Sequence, residues 1–296
     1  MHIGIAGTGK MGSAITKRLL GLGHSVTVWN RTAARAQPLV DAGATRVDTP
    51  AQLVAAAGTV ITMLTDARAL AEVYSGADGL LTAPPSDRLF IDMSTVMPAQ
   101  QQALGAQVEA AGASFLECPV GGSIGPALEG KLLGFAGGSP QVLERARPLL
   151  ESLCRRLEHV GPLGAGSTMK LAINLPLMVY WQTFGEALSL IQPLGLDPQR
   201  VVEIFAETSG GPNMLKVRGA AIAQALAGTG AGAVSVSVAT MRKDMNAMLE
   251  QAALQQSALP LTALALQCFE RAAGAGLDAA DCTQLPVWWL AEGGKA

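Results

Sequence analysis

Gly7-Thr8-Gly9-Lys10-Met11-Gly12 spaces three glycines as in a turn that cradles a pyrophosphate. Gly7 permits the tight turn, Gly9 lets the backbone approach the phosphates, and Gly12 lets a helix pack closely on a strand. The free N–H groups at the start of that helix favour the phosphate charge. A second group, Asn30-Arg31-Thr32, stands where such a site reads the ribose of its nucleotide. An Asp or Glu there binds a 2′-hydroxyl and repels a 2′-phosphate. Here the three residues are neutral, cationic and hydroxylated. Arg31 can grip a phosphate through a bidentate, charge-assisted fork, so the expected cofactor is NADP(H). The alternative is that Arg31 is a solvated loop charge. Further on, Gly166, Lys170 and Asn174 recur every four residues, which puts Lys170 and Asn174 on one helix face. Their surroundings are apolar. Lys170 therefore either works within the fold or extends its amine to water along its own stem.

The glycines need a strand before them and a helix after them. The apolar run Ile3-Gly4-Ile5-Ala6 supplies the first, and helix-like sequence to about Leu22 supplies the second. Val26-Thr27-Val28-Trp29 reads as the next strand, and Asn30 follows it 18 residues after Gly12, near the expected spacing of about 20. Apolar runs recur at Val60–Leu64, Leu89–Met93, Ser114–Cys118 and Leu132–Ala136, separated by Ala-rich helical text. That alternation predicts an α/β fold with a mainly parallel sheet. His159–Val160 is expected to be the last strand, after a helix near Pro140–Leu153.

Gly161-Pro162-Leu163-Gly164-Ala165-Gly166 breaks the pattern. Beyond it the text is helical: Ser167 to about Leu194, Pro198–Ser209, Met214–Leu226, Val238–Leu254, Pro260–Ala273 and Ala279–Leu285. Residues 1–162 should form a dinucleotide-binding domain, and residues 163–296 an all-α domain reached through a long helix. Pro176 should loosen or kink that helix. Gly228–Gly232 reads as a mobile loop.

The chain has 296 residues and a net charge of −2, which gives no bulk attraction to nucleic acid or anionic lipid. Its most apolar stretch, about Leu171 to Ile191, is interrupted by Asn174, Pro176, Gln182 and Glu186, and reads as a buried helix and not a membrane span. No basic n-region precedes a long apolar segment at the start, so a signal peptide is not expected. Cys118, Cys154, Cys268 and Cys282 form no CxxC pair, and reduced thiols in a cytoplasmic protein are expected. His2, His24 and His159 are scattered, with no spacing that suggests zinc or another metal.

Four motifs in order carry a family resemblance: Gly7 through Gly12, Asp92-Met93-Ser94-Thr95, the segment from Glu117 to Gly130, and Gly166 through Asn174. Lys243-Asp244 adds a fifth. The chain resembles the β-hydroxyacid dehydrogenase family, which includes 3-hydroxyisobutyrate dehydrogenase, tartronate semialdehyde reductase and succinic semialdehyde reductases. The resemblance spans nearly the whole chain and fixes no substrate. It implies an N-terminal Rossmann domain with a parallel sheet, a long connecting helix and a C-terminal helical domain. It also implies an active site in the cleft between the domains and a homodimer or homotetramer formed through the helices. By resemblance, Lys170 is the catalytic acid–base, donating a proton to the carbonyl oxygen in reduction and accepting the hydroxyl proton in oxidation. A free lysine, with a pKa of about 10.4, is a poor base near neutrality, and burial is the usual way to improve it. Asn174 would orient Lys170 or the substrate. Thr95 and Lys243 would contact the cofactor, Leu64 and Thr65 would line its nicotinamide half, and Lys10 and Met11 would touch the pyrophosphate. Asp92 is as well read as a loop-capping carboxylate.

The substrate loop departs from the family text Asp-Ala-Pro-Val-Ser-Gly-Gly. This chain reads Glu117-Cys118-Pro119-Val120-Gly121-Gly122-Ser123. Backbone N–H groups of Gly121 and Gly122 could hold a carboxylate, with Ser123 supplying a displaced hydroxyl. Sulfolactaldehyde reductases carry Arg in this loop where this chain has Gly122, which disfavours a sulfonate or phosphate. Leu177 and Trp181 continue the Lys170–Asn174 stripe. Trp181 either widens the site for a less polar substrate or fills the core or a dimer interface. The expected activity is an NADPH-dependent reduction of a small aldehyde acid, reversible toward a 3- or 4-hydroxy acid. Two alternatives stay open. One is an imine reductase of the same architecture, which Lys170 opposes and the altered 121–123 loop keeps open. The other is an NADP-binding module without catalysis, which the intact Lys170–Asn174 pair opposes.

Overall fold

The computed structural model describes residues 1–230 and 233–294. The chain forms two compact units, Met1–Leu171 and Ala172–Ala296.

The first unit alternates strands and helices. Its strands are β1 (His2–Ala6), β2 (Ser25–Trp29), β3 (Thr45–Arg46), β4 (Thr59–Thr62), β5 (Leu89–Asp92), β6 (Ser114–Glu117), β7 (Val120–Gly121), β8 (Leu132–Gly137) and β9 (Cys154–Gly161). Between them run α1 (Lys10–Gly21), α2 (Gln37–Val40), α3 (Pro50–Ala56), α4 (Ala67–Ser75), α5 (Pro98–Ala110), α6 (Ile124–Glu129) and α7 (Pro140–Leu153). The sheet order is β3-β2-β1-β4-β5-β6-β8-β7, with β9 paired to β8. Strands β1 to β6 are parallel, while β8 runs antiparallel to β6 and β7. The order reverses beside β1, so its carboxyl end and that of β4 flank the switch point where doubly wound sheets bind ligands.

Alternation along the strands builds two cores. Ile3, Ile5, Val28 and Ile61 pack with Ile15 and Leu19 on one face. Ala6, Val60, Phe90 and Phe115 pack with Leu53 and Tyr74 on the other. Each large side chain so buried stabilises the fold by about 1.5–3 kcal/mol. Tyr74 lies with its ring centroid 5.7 Å from that of Phe90 and 6.3 Å from that of Phe115.

Three strands differ from expectation. Strand β9 covers eight residues where only His159–Val160 was expected. It pairs only with β8 and carries exposed Arg155 and Arg156, with Arg156 Nε 2.5 Å from Glu158 Oε1. Charge of this kind suits an edge strand and hides its apolar alternation. Strands β3 and β7 are not expected from the sequence, because two residues carry no period.

The helix α8 (Ala165–Ile191) spans the division and holds Pro176 within it. A proline removes one N–H from the ladder, and the 27-residue helix continues through it. The second unit then holds α9 (Pro198–Ala206), α10 (Asn213–Leu226), α11 (Val238–Leu254), α12 (Pro260–Ala272) and α13 (Gln284–Trp288), with no strand among its described residues. Tyr180 stacks on Phe184 at 5.6 Å, and Phe184 meets Phe205 edge-on at 5.3 Å. The expected loop at Gly228–Gly232 includes two positions outside the described residues.

The last α-helix starts at Gln284, not Ala279, because Asp281 organises the chain before it. Its Oδ2 accepts from the N–H of Ser235 at 2.6 Å, and its Oδ1 accepts from the N–H of Thr283 at 3.0 Å and from Arg218 Nη2 at 2.7 Å. Burial works to raise the Asp281 pKa, but the Thr283 and Ser235 amides and the Arg218 guanidinium outweigh it and hold it down at about 2. A carboxylate with a depressed folded pKa stabilises the fold fully above its unfolded pKa and loses that contribution as pH falls through the folded one. Denaturant unfolding followed by circular dichroism should therefore show falling stability from about pH 4 towards pH 2. In Asp281→Asn this part of the acid slope should be missing; an unchanged slope would overturn the assignment.

Candidate active site

The glycine turn follows β1 and opens α1. Gly7 has φ +100°, and a Cβ there would crowd Leu64 Cδ2 at 2.9 Å and run into the Met63 carbonyl. A Cβ on Gly12 would run into the Gly7 carbonyl oxygen. Gly9 differs: nothing lies within 4 Å of where its Cβ would stand. The turn is thus closed against the sheet at Gly7 and Gly12 and open outward at Gly9, as a cradle for a pyrophosphate requires. No acidic residue occupies the first turn of α1, so its N-terminal N–H groups face no competing carboxylate there. Exposed Lys10 and half-buried Met11 border the opening.

Asn30 belongs to the turn itself. Its Oδ1 accepts from the Thr8 N–H at 3.1 Å, and its Nδ2 donates to the Thr32 carbonyl at 3.0 Å. It holds the end of β2 against the glycine loop, so its amide is engaged with backbone. Arg31 is 81% exposed and lies 3.6 Å from Glu72 Oε2. A contact this long and exposed holds the guanidinium weakly.

A buried relay supports the next loop. The Leu64 N–H donates to Ser94 Oγ at 2.9 Å, and Ser94 Oγ donates to Asp92 Oδ1 at 2.8 Å. Thr62 Oγ1 also donates to that oxygen at 2.5 Å, and Gln101 Nε2 donates to Oδ2. Burial pushes the Asp92 carboxyl up from its ordinary value, against these hydrogen bonds. Asp92 thus acts on Ser94 and, through it, on Leu64. Exposed Thr65 donates to Asp66 Oδ2 at 3.1 Å, and Asp66 caps α4. Thr95 is half-buried just beyond β5.

Glu117, at the end of β6, is fully buried. Its Oε1 accepts from the N–H groups of Gly164 at 2.6 Å and Gly166 at 2.9 Å. Its Oε2 accepts from the Ser167 N–H at 3.1 Å and the Ser167 hydroxyl at 2.6 Å. Burial pushes the Glu117 carboxyl up, and the Ser167, Gly164 and Gly166 bonds work to lower it. This carboxylate caps α8 from another strand. Lys170 stands three residues beyond Ser167, and Asn174 one turn further; both are half-buried.

Gly121 ends β7, and Gly122 has φ +123°. A side chain at 122 would be strained by that φ and would meet Leu132 Cδ2 at 2.9 Å. Ser123 is exposed and makes no side-chain cap bond to α6.

The structure gathers Gly7, Gly9, Lys10, Met11, Gly12, Asn30, Arg31, Thr32, Leu64, Thr65 and Thr95 beyond the carboxyl ends of β1, β2, β4 and β5. In the second unit, Lys243 on α11 lies 2.9 Å from Asp244 Oδ1. Trp181 is 2% exposed, so its indole is a core side chain and presents no open surface to a substrate. Sequence reasoning gave Glu117 no role and missed Thr62 and Gln101. The carboxylates were visible in their motifs, but their partners come from other elements. Among the described residues no cluster of His, Cys, Asp or Glu is arranged to hold a metal ion.

A doubly wound sheet with this glycine turn, followed by a helical unit, defines an NAD(P)-dependent oxidoreductase. Residues 2–161 match the NAD binding domain of 6-phosphogluconate dehydrogenase, and residues 164–288 match the family described as NAD-binding of NADP-dependent 3-hydroxyisobutyrate dehydrogenase. The chain is 34% identical to the 3-hydroxyisobutyrate dehydrogenase of Pseudomonas aeruginosa over 271 residues, 90% of each protein. It is 31% identical to the chloroplastic glyoxylate/succinic semialdehyde reductase 2 of Arabidopsis thaliana over 281 residues, 95% of this chain and 77% of that protein. The solved structure of Psf3 in complex with NADP+ and 2-OPP superposes with a TM-score of 0.86 at 29% identity, covering 96% of this chain and 99% of the other. The chain belongs to the β-hydroxyacid dehydrogenase family.

Proposed function

We propose that this protein is an NADPH-dependent reductase of a small aldehyde acid, reversible toward the 3- or 4-hydroxy acid, with Lys170 as its general acid–base. The observation that carries the reading is the half-buried Lys170 near the start of a helix whose first turn is fixed by a buried carboxylate. A nicotinamide held beside these residues would supply the hydride in reduction and accept it in oxidation. Lys170 gives its ammonium proton to the carbonyl oxygen as that oxygen gains charge, and its amine recovers a proton from solvent. In oxidation the amine takes the hydroxyl proton. Asn174, one turn on, orients the amine or the substrate oxygen. The N–H groups of Gly121 and Gly122, with Ser123, hold the substrate carboxylate. By the family resemblance Thr95 and Lys243 would contact the cofactor, and Leu64 and Thr65 would line its nicotinamide half. Gly9, Lys10 and Met11 border the pyrophosphate.

The NADP preference rests on the end of β2, where Arg31 is the exposed cation and Asn30 and Thr32 carry no charge. The test is a panel of glyoxylate, succinic semialdehyde and a cyclic imine, each with NADPH or NADH, together with 3-hydroxyisobutyrate with NADP+ or NAD+. Highest kcat/KM for a semialdehyde with NADPH supports the reading. Turnover confined to the imine, or a preference for NADH, overturns it. In the same assay Arg31→Ala should raise the Kd for NADPH about tenfold, the loss of ~1.4 kcal/mol from a charge-assisted phosphate contact, and leave NADH unchanged. Equal losses for both cofactors would remove Arg31 from phosphate recognition.

A further inference from the structure

The Glu117 carboxylate is bound more closely than helix capping alone requires. Helix α8 starts at Ala165, so the N–H groups of Gly166 and Ser167 lack partners within the helix. Both donate to Glu117, as do the preceding Gly164 N–H and the Ser167 hydroxyl. The acceptor lies 47 to 50 residues away in sequence, at the end of a central strand. In the sheet Glu117 pairs with Asp92 on β5 and with Gly137 on β8. The slot around the carboxylate is tight. A Cβ on Gly137 would run into Glu117 Oε1, and a Cβ on Gly166 would stand 3.1 Å from Glu117 Cδ. Ser167 is buried and lies three residues before Lys170, on a neighbouring part of the same face. Two oxygens hold donors at three successive heights along the helix start, so sliding or rotating α8 breaks several charge-assisted bonds at once.

We propose that Glu117 is a positioning residue for Lys170: by fixing the height and rotation of the first turn of α8, it delivers the lysine amine to the reacting oxygen. The proposal rests on the assignment of Lys170 as the acid–base. A short-armed surface cap would satisfy the same N–H groups. A buried arm from the sheet also sets where the helix starts relative to the strands that present the cofactor loop.

Glu117→Gln keeps the shape and one carbonyl acceptor but turns an NH2 group towards donors. It should lower kcat for succinic semialdehyde with NADPH about ten- to hundredfold, the scale set by small misplacements of a reacting group. The Kd for NADPH, read by fluorescence, should stay within about twofold of the parent, because the residue acts only through Lys170. Glu117→Asp, which keeps the charge, should recover part of the lost kcat. In a Lys170→Ala background the same Glu117→Gln change should lower kcat by less than about twofold, because it acts through a group already gone. Equal losses in the two backgrounds, or an unchanged kcat in Glu117→Gln, would overturn the proposal. If Lys170→Ala alone keeps full kcat, the lysine assignment fails first, and the two failures are told apart. A second readout needs no substrate. Acetylation by acetic anhydride, followed by peptide mass spectrometry, should change at Lys170 relative to surface Lys131 in Glu117→Gln; an unchanged ratio counts against the proposal. Should Glu117→Gln not fold, Ser167→Ala removes one donor and should show a smaller loss with the same dependence on Lys170.

Discussion

Lys170→Ala should lower kcat for semialdehyde reduction by about 10²- to 10⁴-fold, the usual contribution of a positioned general acid. The Kd for NADPH should remain within about twofold, because the glycine turn and Arg31 lie on other elements. The split follows from what the side chain does. An alkoxide forming without a proton donor must take its proton from water, which is neither positioned nor acidic enough. Binding of the ground-state aldehyde needs no proton, so KM should move far less than kcat. Lys170→Arg is the sharper control. It keeps a positive charge, but a guanidinium does not release its proton near neutral pH. It should therefore stay nearly as slow as alanine. Substantial activity in the arginine variant would show that the charge matters and proton transfer does not. Full activity in the alanine variant would remove Lys170 from the reaction.

The first 32 residues were the most legible part of the chain, and the reason is local. A strand, a glycine turn and a helix are written within one stretch, and each glycine has its own steric duty there. The helix positions of the second unit were also legible, since a 3.6-residue period needs only neighbours in sequence. What escaped notice depends on contacts between distant elements. Glu117 stood in a quoted motif, yet its meaning lies in Gly164, Gly166 and Ser167. The sequence around Asp92 is compatible with both capping and chemistry. The bonds that join Thr62, Asp92, Ser94 and Leu64 give it a positioning duty that spans β4, β5 and the loops after them. Asn30 was legible as a residue near the ribose, but its bonds to Thr8 and Thr32 show that it also braces the loop. In strand β9 the charges mask the alternation, so only His159–Val160 reads as strand in the sequence, although charge suits its place at an edge. Trp181 continued a helical stripe correctly and still pointed into the core, since spacing fixes a face but not what covers it.

Gly12→Ala should destabilise the first unit by about 3 kcal/mol, roughly 6–12 °C in Tm, as overpacking against backbone does. The new Cβ would stand at the Gly7 carbonyl oxygen, with the Gly7 carbonyl carbon 3.1 Å away. A flexible side chain could swing aside from such a clash, but a carbonyl held in a turn cannot. The Gly7 N–H is tied to the Trp29 carbonyl at 2.9 Å, and φ at Gly7 is +100°. The start of α1 must therefore move away from β1 and carry its N–H groups with it, so NADPH binding should weaken together with stability. Gly9→Ala separates the two effects. Its Cβ meets nothing within 4 Å, and φ −69° suits any L-residue. The substitution should cost no more than about 1 kcal/mol, the price of a poorer N-cap. It should nevertheless raise the Kd for NADPH, because the methyl enters the space through which the backbone meets the pyrophosphate. Thermal melting with and without NADPH reads both effects. Gly12→Ala should lower Tm in both conditions, whereas Gly9→Ala should mainly lose the rise in Tm that the cofactor gives. The reverse pattern would mean that the turn is a packing device alone, and the open face at Gly9 would need another occupant.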